Sequence, residues 1–443
     1  MIANQRENKE NKMNVVVVGA GIVGVCTALE LIKAGAKVTI VESESPGGEQ
    51  SASHGNGAWL SPASVVPMSM PGLWKKVPGY LLDRSGPLTI RWKSLPGLAS
   101  WLLKFTLAGS TTAKVERTSR ALNKLLRDAP SRHMRLAEEA GLGHLIRQDG
   151  LLYAYPDKAA FAAEALSWRL RQINGVRWQE WDDLMIKSAI PHLASKYKFG
   201  AWVQDGAHCL NPGQYVGGLV SYAVSLGANF IKGTVTKIDT KGNLYINGEL
   251  LTTDKIVVAC GIHSRVLAKM IGDDVPMRSE RGYNVVIKDP KFQLTVPVMP
   301  SDGRMANTST NEGLRLSGQV ELADENAAPD WRRSDILLHH AADTYPSLVG
   351  EKYDPATMTR WMGKRPSTSD GLPVISPSRA SSKVVYAFGH GHVGLAAAPK
   401  TAEIISQIVL DRVVQTSYSE FSVNRFYGGA DIPSPVEGGQ SLR

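Results

Sequence analysis

The residue with the clearest capacity for ligand chemistry is an arginine near the end of the chain. Arg365 stands in the stretch 361-WMGKRPSTSDGLPVI-375, a loop-like run of Gly, Pro, Ser and Asp before an apolar segment. The planar guanidinium of arginine binds carboxylates through two parallel hydrogen bonds. The stretch is equally compatible with an ordinary turn that carries a solvated cation, or with an ion pair between Arg365 and Asp370. The choice depends on what the rest of the chain builds around this arginine.

A strand, a glycine-rich turn and a helix follow one another near the N-terminus. Residues 15–18 (VVVV) are a continuous apolar run, typical of a buried parallel strand. The pattern Gly19-Ala-Gly21-Ile-Val-Gly24 comes next, and apolar residues then recur at helical spacing. Gly19 permits a tight turn, Gly21 lets the backbone approach a pyrophosphate, and Gly24 lets helix and strand pack closely. The helix N-terminus would then present N–H groups and its positive dipole end to the phosphates.

An acidic residue at the end of the second predicted strand narrows the choice of nucleotide. Residues 37–41 (KVTIV) form that strand, and Glu42 follows at the distance where a carboxylate meets a ribose hydroxyl. Because a carboxylate would repel a 2′-phosphate, we do not expect NADP, and FAD and NAD both remain. The nucleotide-binding residues predicted from this unit are Gly19, Gly21, Ile22, Val23, Gly24, Glu42 and Ser43.

The composition is that of an ordinary α/β enzyme. With 443 residues and 43% hydrophobic content, the chain is too long for one simple core and suits two domains, or one large domain with an insertion. Three widely separated cysteines predict neither a disulfide framework nor a zinc site, so no metal is expected. A net charge of +9 would suit nucleic acid, an anionic membrane or anionic substrates, but no nucleic-acid-binding motif is present. No apolar run reaches the roughly 18 residues of a spanning helix, and no signal peptide is expected.

Two further segments resemble parts of known flavoproteins. Residues 228–264 contain short strands separated by Gly and Asn turns, then a buried strand and a glycine, as in the FAD-binding domain of the glutathione reductase type. Residues 53–62 (SHGNGAWLSP) resemble the stretch after the first βαβ unit of D-amino acid dehydrogenases. In this chain Asn56-Gly57-Ala58 stands where Asn-Ala-Gly or Asn-Gly-Gly is usual. These segments favour FAD over NAD.

A glycine-rich turn near the C-terminus supports the same resemblance. Residues 384–411 are predicted to form a strand, a turn and a helix, and the turn matches the Gly-His-x-x-x-Gly of this family. In the family the helix N-terminus faces the pyrimidine edge of the flavin, which becomes negative on reduction. The FAD contacts that the resemblance implies outside the first βαβ unit are Ser53, His54, Asn56, Gly57, Val235, Cys260, Gly261, Gly389, Gly391, Val393, Gly394 and Leu395.

Taken together, residues 14 to about 412 resemble the D-amino acid oxidase/glycine oxidase superfamily. Residues 70–91 are most similar to the bacterial D-amino acid dehydrogenase small subunit and to relatives acting on D-hydroxyproline. The resemblance implies a mixed α/β (α+β) fold, with a Rossmann-like FAD-binding domain of the glutathione reductase type and an interleaved substrate domain of antiparallel sheet plus helices. Residues 112–175 are predicted to be largely helical and part of the substrate domain. The implied boundaries are 13–65, 206–275 and 356–427 for the FAD-binding domain, and 66–205 and 276–355 for the substrate-binding domain.

The activity implied is FAD-dependent oxidative deamination of D-amino acids, with electrons passed to a quinone or another respiratory acceptor. An oxidase that uses oxygen on glycine, sarcosine, D-proline or an opine is an alternative, and so is a flavoprotein subunit of a hetero-oligomeric dehydrogenase. Flavin oxidation of an amino acid needs groups that hold the substrate rather than a nucleophile and base. Accordingly, the sequence contains no GxSxG elbow.

Four residues are the catalytic candidates. In the family the arginine of Gly-x-Arg-Pro-x-x-x-Asp-x-x-Pro binds the substrate carboxylate, and the resemblance implies this role for Arg365. Tyr283, in the sequence RGY, resembles the Lys/Arg-Gly-Tyr of the dehydrogenases and is either a second substrate contact or a core tyrosine. His390 and His392 lie beside the flavin turn, where either would orient the substrate or carry the amine proton. A packing role is the alternative for His390.

Residues 71–105 mix tryptophans with basic side chains. Trp74, Trp92 and Trp101 stand among six lysines and arginines, a composition that suits a membrane surface and equally a lid or packing between domains. We expect a cytoplasmic protein, with peripheral contact to the cytoplasmic face of the inner membrane and homo- or hetero-oligomer formation as open alternatives. The tail from about residue 428 is expected to be loose.

Overall fold

The structure is a computed structural model that describes residues 12–82, 86–412 and 418–428. Beyond Gly428, the tail that the sequence predicts to be loose lies outside the described residues. The strands, in chain order, are β1 (Asn14–Val18), β2 (Lys37–Glu42), β3 (Trp59–Leu60), β4 (Leu88–Ile90), β5 (Ile146–Arg147), β6 (Leu151–Tyr155), β7 (Gln179–Asp182), β8 (Phe199–Val203), β9 (Ala207–Cys209), β10 (Asn229–Lys232), β11 (Val235–Ile238), β12 (Leu244–Ile246), β13 (Glu249–Leu251), β14 (Lys255–Val258), β15 (Met277–Ile287), β16 (Val298–Pro300), β17 (Ala306–Thr310), β18 (Gly313–Leu322), β19 (Met358–Thr368), β20 (Val374–Pro377) and β21 (Val384–Phe388).

Helices pack against the two larger sheets, which are described below. The α-helices are α1 (Ile22–Lys33), α2 (Leu73–Leu82), α3 (Leu95–Ala108), α4 (Thr112–Leu126), α5 (Ala129–Glu139), α6 (Lys158–Ala162), α7 (Ala165–Ile173), α8 (Asp183–Ala189), α9 (Pro212–Ser225), α10 (Ser264–Ile271), α11 (Arg332–Thr344) and α12 (Gly394–Val409). Short 3₁₀ turns lie at Trp92–Ser94, Gly143–Leu145, Gly261–His263, Pro346–Leu348, Ser419–Phe421 and Val423–Phe426. In the described part of the chain, no helix is long and apolar enough to cross a membrane.

The first sheet carries the predicted dinucleotide unit. Its strands run in the order β10-β2-β1-β14-β21-β20, parallel except for β20 at the edge. Val15 and Val17 pack into one hydrophobic cluster beneath α1 and α12, while Val16 and Val18 pack into another with β11–β13. The continuous apolar run is therefore explained, because a parallel strand covered on both faces has no solvated side. The predicted strand–turn–helix–strand unit and the later strand meander are both confirmed.

The glycine-rich turn after β1 depends on the absence of side chains. Gly19 has φ +104°, and a Cβ there would lie 2.7 Å from the carbonyl oxygen of Ala259 at the end of β14. A Cβ on Gly24, in the first turn of α1, would overlap the carbonyl oxygen of Gly19. The helix therefore starts in direct backbone contact with the turn, which fixes where its N-terminus points.

The second sheet is large and mostly antiparallel. Its order is β19-β15-β18-β17-β16-β6-β8-β7, with β4 alongside β18. β15 and β19 pair along their whole length, from Met277 opposite Thr368 to Ile287 opposite Met358. Strands of this sheet come from chain segments that alternate with those of the first sheet. The predicted fold, a dinucleotide-binding sheet interleaved with an antiparallel sheet plus helices, is thus confirmed.

Three local features differ from the expectations. The stretch around Arg365 is a strand, β19, because eleven residues pair continuously with β15, and although 356–427 was expected in the FAD-binding part, this strand belongs to the second sheet. Within the segment predicted to be largely helical, residues 151–155 form β6, a fully buried apolar run paired with β8. α4 and α5, expected in the substrate part, pack their apolar faces on α12 of the first sheet's layer.

We expect Gly24→Ala to destabilise the protein by about 2 kcal/mol or more, because the added methyl group meets backbone that cannot move aside. Thermal or urea unfolding of the purified variant measures this loss. Gly97→Ala is the matched control, since Gly97 is a helical glycine with nothing within 4 Å of the added Cβ. That control should be neutral or slightly stabilising, and equal losses in both variants would contradict the packing argument.

Candidate active site

The end of β19 is joined to the C-terminal glycine-rich turn by backbone contacts. The N–H of Gly391 donates to the carbonyl of Pro366 at 2.9 Å, and Ser367 forms an isolated antiparallel bridge with His390. β19 is the outermost strand of its sheet, so its outer edge is available for this pairing. The two segments that the sequence separately singled out, around Arg365 and around the turn, therefore lie side by side.

Arg365 is half-buried, and its guanidinium lies over the glycine of the neighbouring strand. Nη1 donates to the carbonyl of Gln319 at 3.2 Å, and a Cβ on Gly282 would overlap Nη2. The alternative partner, Asp370, accepts instead from Arg425, with Nε and Oδ2 2.7 Å apart. Among the described residues no side chain forms an ion pair with Arg365, so most of its N–H groups remain available to a ligand.

A small cavity, partly open to solvent, lies between this end of β19 and the turn. His392 lines this cavity with an accessible side chain, and its partial enclosure by protein and, second, the positive charge of Arg365 lower its pKa below the ordinary value of 6.5. A neutral imidazole is therefore what a ligand meets at neutral pH. The residues that line the cavity are Pro67, Met68, Phe105, Leu122, Glu280, Ser367, Thr368, Gly371, Gly389, His390, Gly391, His392 and Val393.

His390 is a packing residue in this structure. It is 5% exposed, and its Nε2 lies 3.0 Å from Oγ1 of Thr401 on α12. Burial lowers the His390 pKa to about 3, so the ring is neutral over the physiological range. The contact attaches the turn to the helix behind it, which favours the packing alternative over proton transfer.

The structure does not bring Tyr283 to the cavity. In the β15–β19 pairing Arg365 lies opposite Glu280, and side chains alternate between the two faces of a strand, so Tyr283 projects from the other face. Its hydroxyl donates to Oε2 of Glu321 at 2.6 Å and accepts from the N–H of Asp330 at 3.0 Å. Tyr283 is thus buried and hydrogen-bonded within the protein, which favours the core alternative over a substrate contact.

The N-terminal turn forms a cradle of polar donors. Above Gly21 the nearest atoms to an added Cβ are the hydroxyls of Ser53 and Ser51, at 3.7 and 4.0 Å, so the backbone is open to an approaching group. The N–H of Ile22 donates to Oγ of Ser53 at 3.2 Å. At the end of β2, Oε2 of Glu42 accepts from the N–H of Ala20 at 2.8 Å. The carboxylate thus lies against the same turn as the hydroxyls.

The segment 53–58 lies across the second sheet. Nη1 of Arg315 donates to the carbonyls of His54 and Asn56, both at 2.9 Å, and Nδ2 of Asn284 donates to the carbonyl of Gly55 at 3.0 Å. Residues 53–58 therefore connect the N-terminal turn to the second sheet. Ala58 has φ +66°, a conformation that favours glycine, at the place where the family pattern has glycine.

The other predicted contacts fall in three places. Ser43 donates from Oγ to Oε1 of Glu42 at 3.2 Å, and Val23 lies in α1 beside the cradle. Cys260 touches Gly19 with its backbone, Gly261 starts a 3₁₀ turn with φ +59°, and Val235 begins β11. Val393, Gly394 and Leu395 form the start of α12, and the carbonyl of Leu395 lies 2.8 Å from Nε2 of His133.

These residues fit an extended dinucleotide that carries a ring system. The cradle offers hydroxyls and open backbone at Gly21 for phosphates, and Glu42 offers a carboxylate for a ribose. The turn at Gly389 and Gly391, with φ +87° and +53°, leaves backbone rather than side chain beside the cavity. The fold and the site together define a flavin-dependent oxidoreductase in which a dinucleotide-binding sheet is combined with a large antiparallel sheet.

The comparisons with known proteins agree. The chain matches the family DAO, described as FAD dependent oxidoreductase, over residues 14–408, and it belongs to that family. It is 42% identical to a D-amino-acid oxidase of Bradyrhizobium diazoefficiens, covering 93% of this chain and 99% of the relative. It is 27% identical to a D-amino acid dehydrogenase of Rhizobium rhizogenes, covering 94% and 100%. The predicted family and the FAD cofactor are thereby confirmed.

Solved structures show the same fold at low sequence identity. Glycine oxidase from Geobacillus kaustophilus superposes with a TM-score of 0.67 at 18% identity, covering 94% of this chain and 99% of that one. L-amino acid deaminase from Proteus vulgaris gives 0.69 at 16% identity, covering 96% and 100%. The agreement over nearly the whole length shows that the fold is shared across both sheets.

Two residues at the cavity face of β15 and β19 were not singled out from the sequence. Glu280 lines the cavity opposite Arg365. Trp361 covers Gly363, where a Cβ would overlap its ring, and donates from Nε1 to the carbonyl of Glu49 at 2.7 Å. Trp361 lies four residues before Arg365 on β19, and Glu280 is the cross-strand partner of Arg365 on β15. Strand alternation from Arg365 would have found Trp361, but only the register finds Glu280.

Protonation of a buried histidine should destabilise the protein in acid. His133 is fully buried between Tyr215 and Leu395, and burial lowers its pKa from 6.5 to about 4. A folded pKa below the unfolded one contributes stability above pH 6.5 that is lost as pH falls towards 4. We expect a loss of roughly 3 kcal/mol from this residue.

Urea unfolding across that pH window measures the loss. His133→Gln should show a shallower fall of the unfolding free energy with decreasing pH than the wild-type protein. His144→Gln is the control, because His144 is exposed and its substitution should leave the slope unchanged. An unchanged slope in His133→Gln would contradict the assignment.

Proposed function

We propose that this protein oxidises D-amino acids with FAD, giving an imine that hydrolyses to a 2-oxo acid and ammonia. The observation that carries the proposal is Arg365 beside the flavin-type turn, a half-buried guanidinium that forms no ion pair with any described residue. Relatives that match the whole chain and are named D-amino-acid oxidase and D-amino acid dehydrogenase support it. A subunit that only relays electrons needs no carboxylate anchor, which argues against that alternative.

The protein's own residues would bind and orient the substrate. Arg365 would hold the substrate carboxylate through the N–H groups that Gln319 does not use, and the neutral His392, close enough for the Arg365 charge to lower its pKa, would not compete for that carboxylate. Phe105 and Leu122 supply apolar walls that exclude water. FAD, when bound, supplies the acceptor for the two electrons and the proton that leave the α-carbon as hydride. The amino group must be neutral when the hydride leaves, so the substrate ammonium has to release one proton before that transfer.

We assign the cofactor-binding residues by the same reasoning. The cradle around Gly21, Ser53 and Glu42 would hold the adenosine diphosphate part, and the turn at Gly389–Gly394 with the start of α12 would lie beside the flavin ring. We also propose that the chain divides into an FAD-binding domain and a substrate-binding domain. Because β19 pairs with β15, we assign β19 to the substrate-binding domain.

The electron acceptor has two candidates. The relative at 42% identity is named an oxidase, which favours oxygen, and the relative at 27% is named a dehydrogenase, which favours a quinone or another carrier. The exposed surface of α3 favours a membrane-bound carrier. We propose the quinone, with oxygen as the second candidate.

The surface in question, which we name the α3 stripe, is apolar and basic. Trp92, Leu95, Leu103 and Leu107 are 73%, 36%, 62% and 51% exposed, and the last three recur at spacings that put them on one side of the helix. Lys93 and Lys104 stand exposed beside it. Apolar residues that enter an interface and lysines that face lipid phosphates are the pattern of a peripheral membrane helix. We propose that the α3 stripe contacts an anionic membrane surface.

The function is tested by mixing the FAD-loaded protein anaerobically with D- and L-amino acids. We expect D-amino acids alone to bleach the flavin absorbance. Bleaching by L-amino acids only, or by neither set, would overturn the proposal. Admitting oxygen or a soluble quinone analogue to the reduced protein then identifies the acceptor by the rate of re-oxidation.

Arg365→Gln should weaken substrate binding by about 2–5 kcal/mol, seen as a rise in the concentration needed for half-maximal bleaching. Lys364→Gln is the matched control, because it removes a charge from the adjacent position on the opposite face of β19. Similar effects in both variants would remove Arg365 from the substrate site.

Membrane contact is tested by sedimentation with lipid vesicles. We expect binding to vesicles containing phosphatidylglycerol, weaker binding to phosphatidylcholine alone, and a loss of about tenfold in Leu103→Glu, which places a charge in the α3 stripe. Val266→Glu is the control, since Val266 is a 53% exposed apolar residue on α10, outside the α3 stripe. Equal binding of both variants would overturn this proposal.

A further inference from the structure

A buried carboxylate lies beside the proposed substrate anchor, and neither the sequence pattern nor the proposed function uses it. Glu280 stands on β15 directly opposite Arg365 on β19, and both project from the cavity face of the sheet. Glu280 is 5% exposed and lines the cavity. It shares that cavity with Ser367 and His392.

Only one of the two carboxylate oxygens of Glu280 accepts a hydrogen bond from the described residues. Oε2 accepts from Oγ of Ser367 at 2.8 Å, while Oε1 has no hydrogen-bond partner within the described residues. The described part of the chain also contains no direct ion pair between Glu280 and Arg365, although the two charges lie close enough to influence each other. Enclosure of a carboxylate without a bonded cation is costly and raises its pKa, and a cationic ligand at Oε1 would offset that cost.

None of the titratable groups that face Glu280 supplies that partner. His390 and His392 on the turn are neutral, because burial lowers their pKa values to about 3 and about 4. Burial raises the pKa of Glu280 itself, and the Ser367 hydrogen bond and the Arg365 charge oppose that rise. The wall from α3 and α4 contributes Phe105 and Leu122, which carry no charge.

A bound amino acid would complete this arrangement. We propose that Glu280 receives the ammonium group of the substrate while Arg365 receives its carboxylate, so that the two cross-strand side chains form one zwitterion site. Gly282, beside them on β15, has no side chain to intrude, and the Arg365 guanidinium already lies over it. The inference rests on the proposed function and adds its selectivity: 2-amino acids are bound in preference to 2-hydroxy acids or simple carboxylic acids.

A pair of unreactive ligands tests the inference on the FAD-loaded protein. 2-Aminoisobutyrate has an ammonium and a carboxylate but no α-hydrogen, so it cannot be oxidised, and isobutyrate differs only in lacking the ammonium. Isothermal titration calorimetry gives both affinities without turnover. We expect Glu280→Gln to bind 2-aminoisobutyrate at least about tenfold more weakly, and to bind isobutyrate as tightly as the wild-type protein or more tightly, since a negative charge near the carboxylate has been removed. Glu280→Asp should recover part of the preference.

Each other result would overturn the inference. Equal weakening of both ligands would mean that Glu280 only supports Arg365. Unchanged binding of 2-aminoisobutyrate, or a loss confined to D-amino acids with cationic side chains, would move the ammonium away from Glu280. The ratio of the two affinities within one variant does not depend on the fraction of folded protein. If the wild-type protein binds neither ligand and D-amino acids leave the flavin oxidised, the proposed function fails together with the inference.

Discussion

The arrangement of the site depends on one backbone contact, the hydrogen bond from Gly391 to the carbonyl of Pro366. Pro366 has no N–H to give to a neighbouring strand, and β19 can include it because this strand is at the edge of its sheet. The free edge pairs instead with the C-terminal turn, whose glycines adopt conformations that bring an N–H to it. The two sheets are thereby held at one fixed distance across the cavity.

The sequence predicts best what is local. The strand, turn and helix around Gly19 follow from steric needs within a short segment, and the structure has them where expected. Strand pairing is not local, and this accounts for the differences. Arg365 looked like a loop residue because Gly and Pro surround it, yet both are tolerated at an edge strand. Tyr283 was a reasonable anchor by motif, but the register turns its hydroxyl to Glu321 on the far face.

Two faces of the β15–β19 ribbon therefore have separate tasks. On the far face Glu321 ties Tyr283 to Arg281 and Arg91, a buried polar network that fixes the sheet. On the cavity face Arg365 and Glu280 keep unused hydrogen-bonding capacity. In the sequence alone, the residues of the far face and those of the cavity face look alike, as charged residues within strands. Only the register separates residues that satisfy one another from residues that await a ligand, which is why Glu280 could not be found before the fold was known.

The helix that carries the α3 stripe also reaches the site from its inner side. Nε1 of Trp101 donates to the carbonyl of Ser367 at 3.2 Å, and the hydroxyl of the same serine donates to Glu280. Two hydrogen bonds thus connect the outer surface of the molecule to the acid in the cavity. By thermodynamic reciprocity, whatever docks on the outer surface and shifts this helix alters affinity in the cavity, and occupancy of the cavity alters docking to the same degree. In the function proposed above, delivery of electrons and capture of substrate would both involve this one helix.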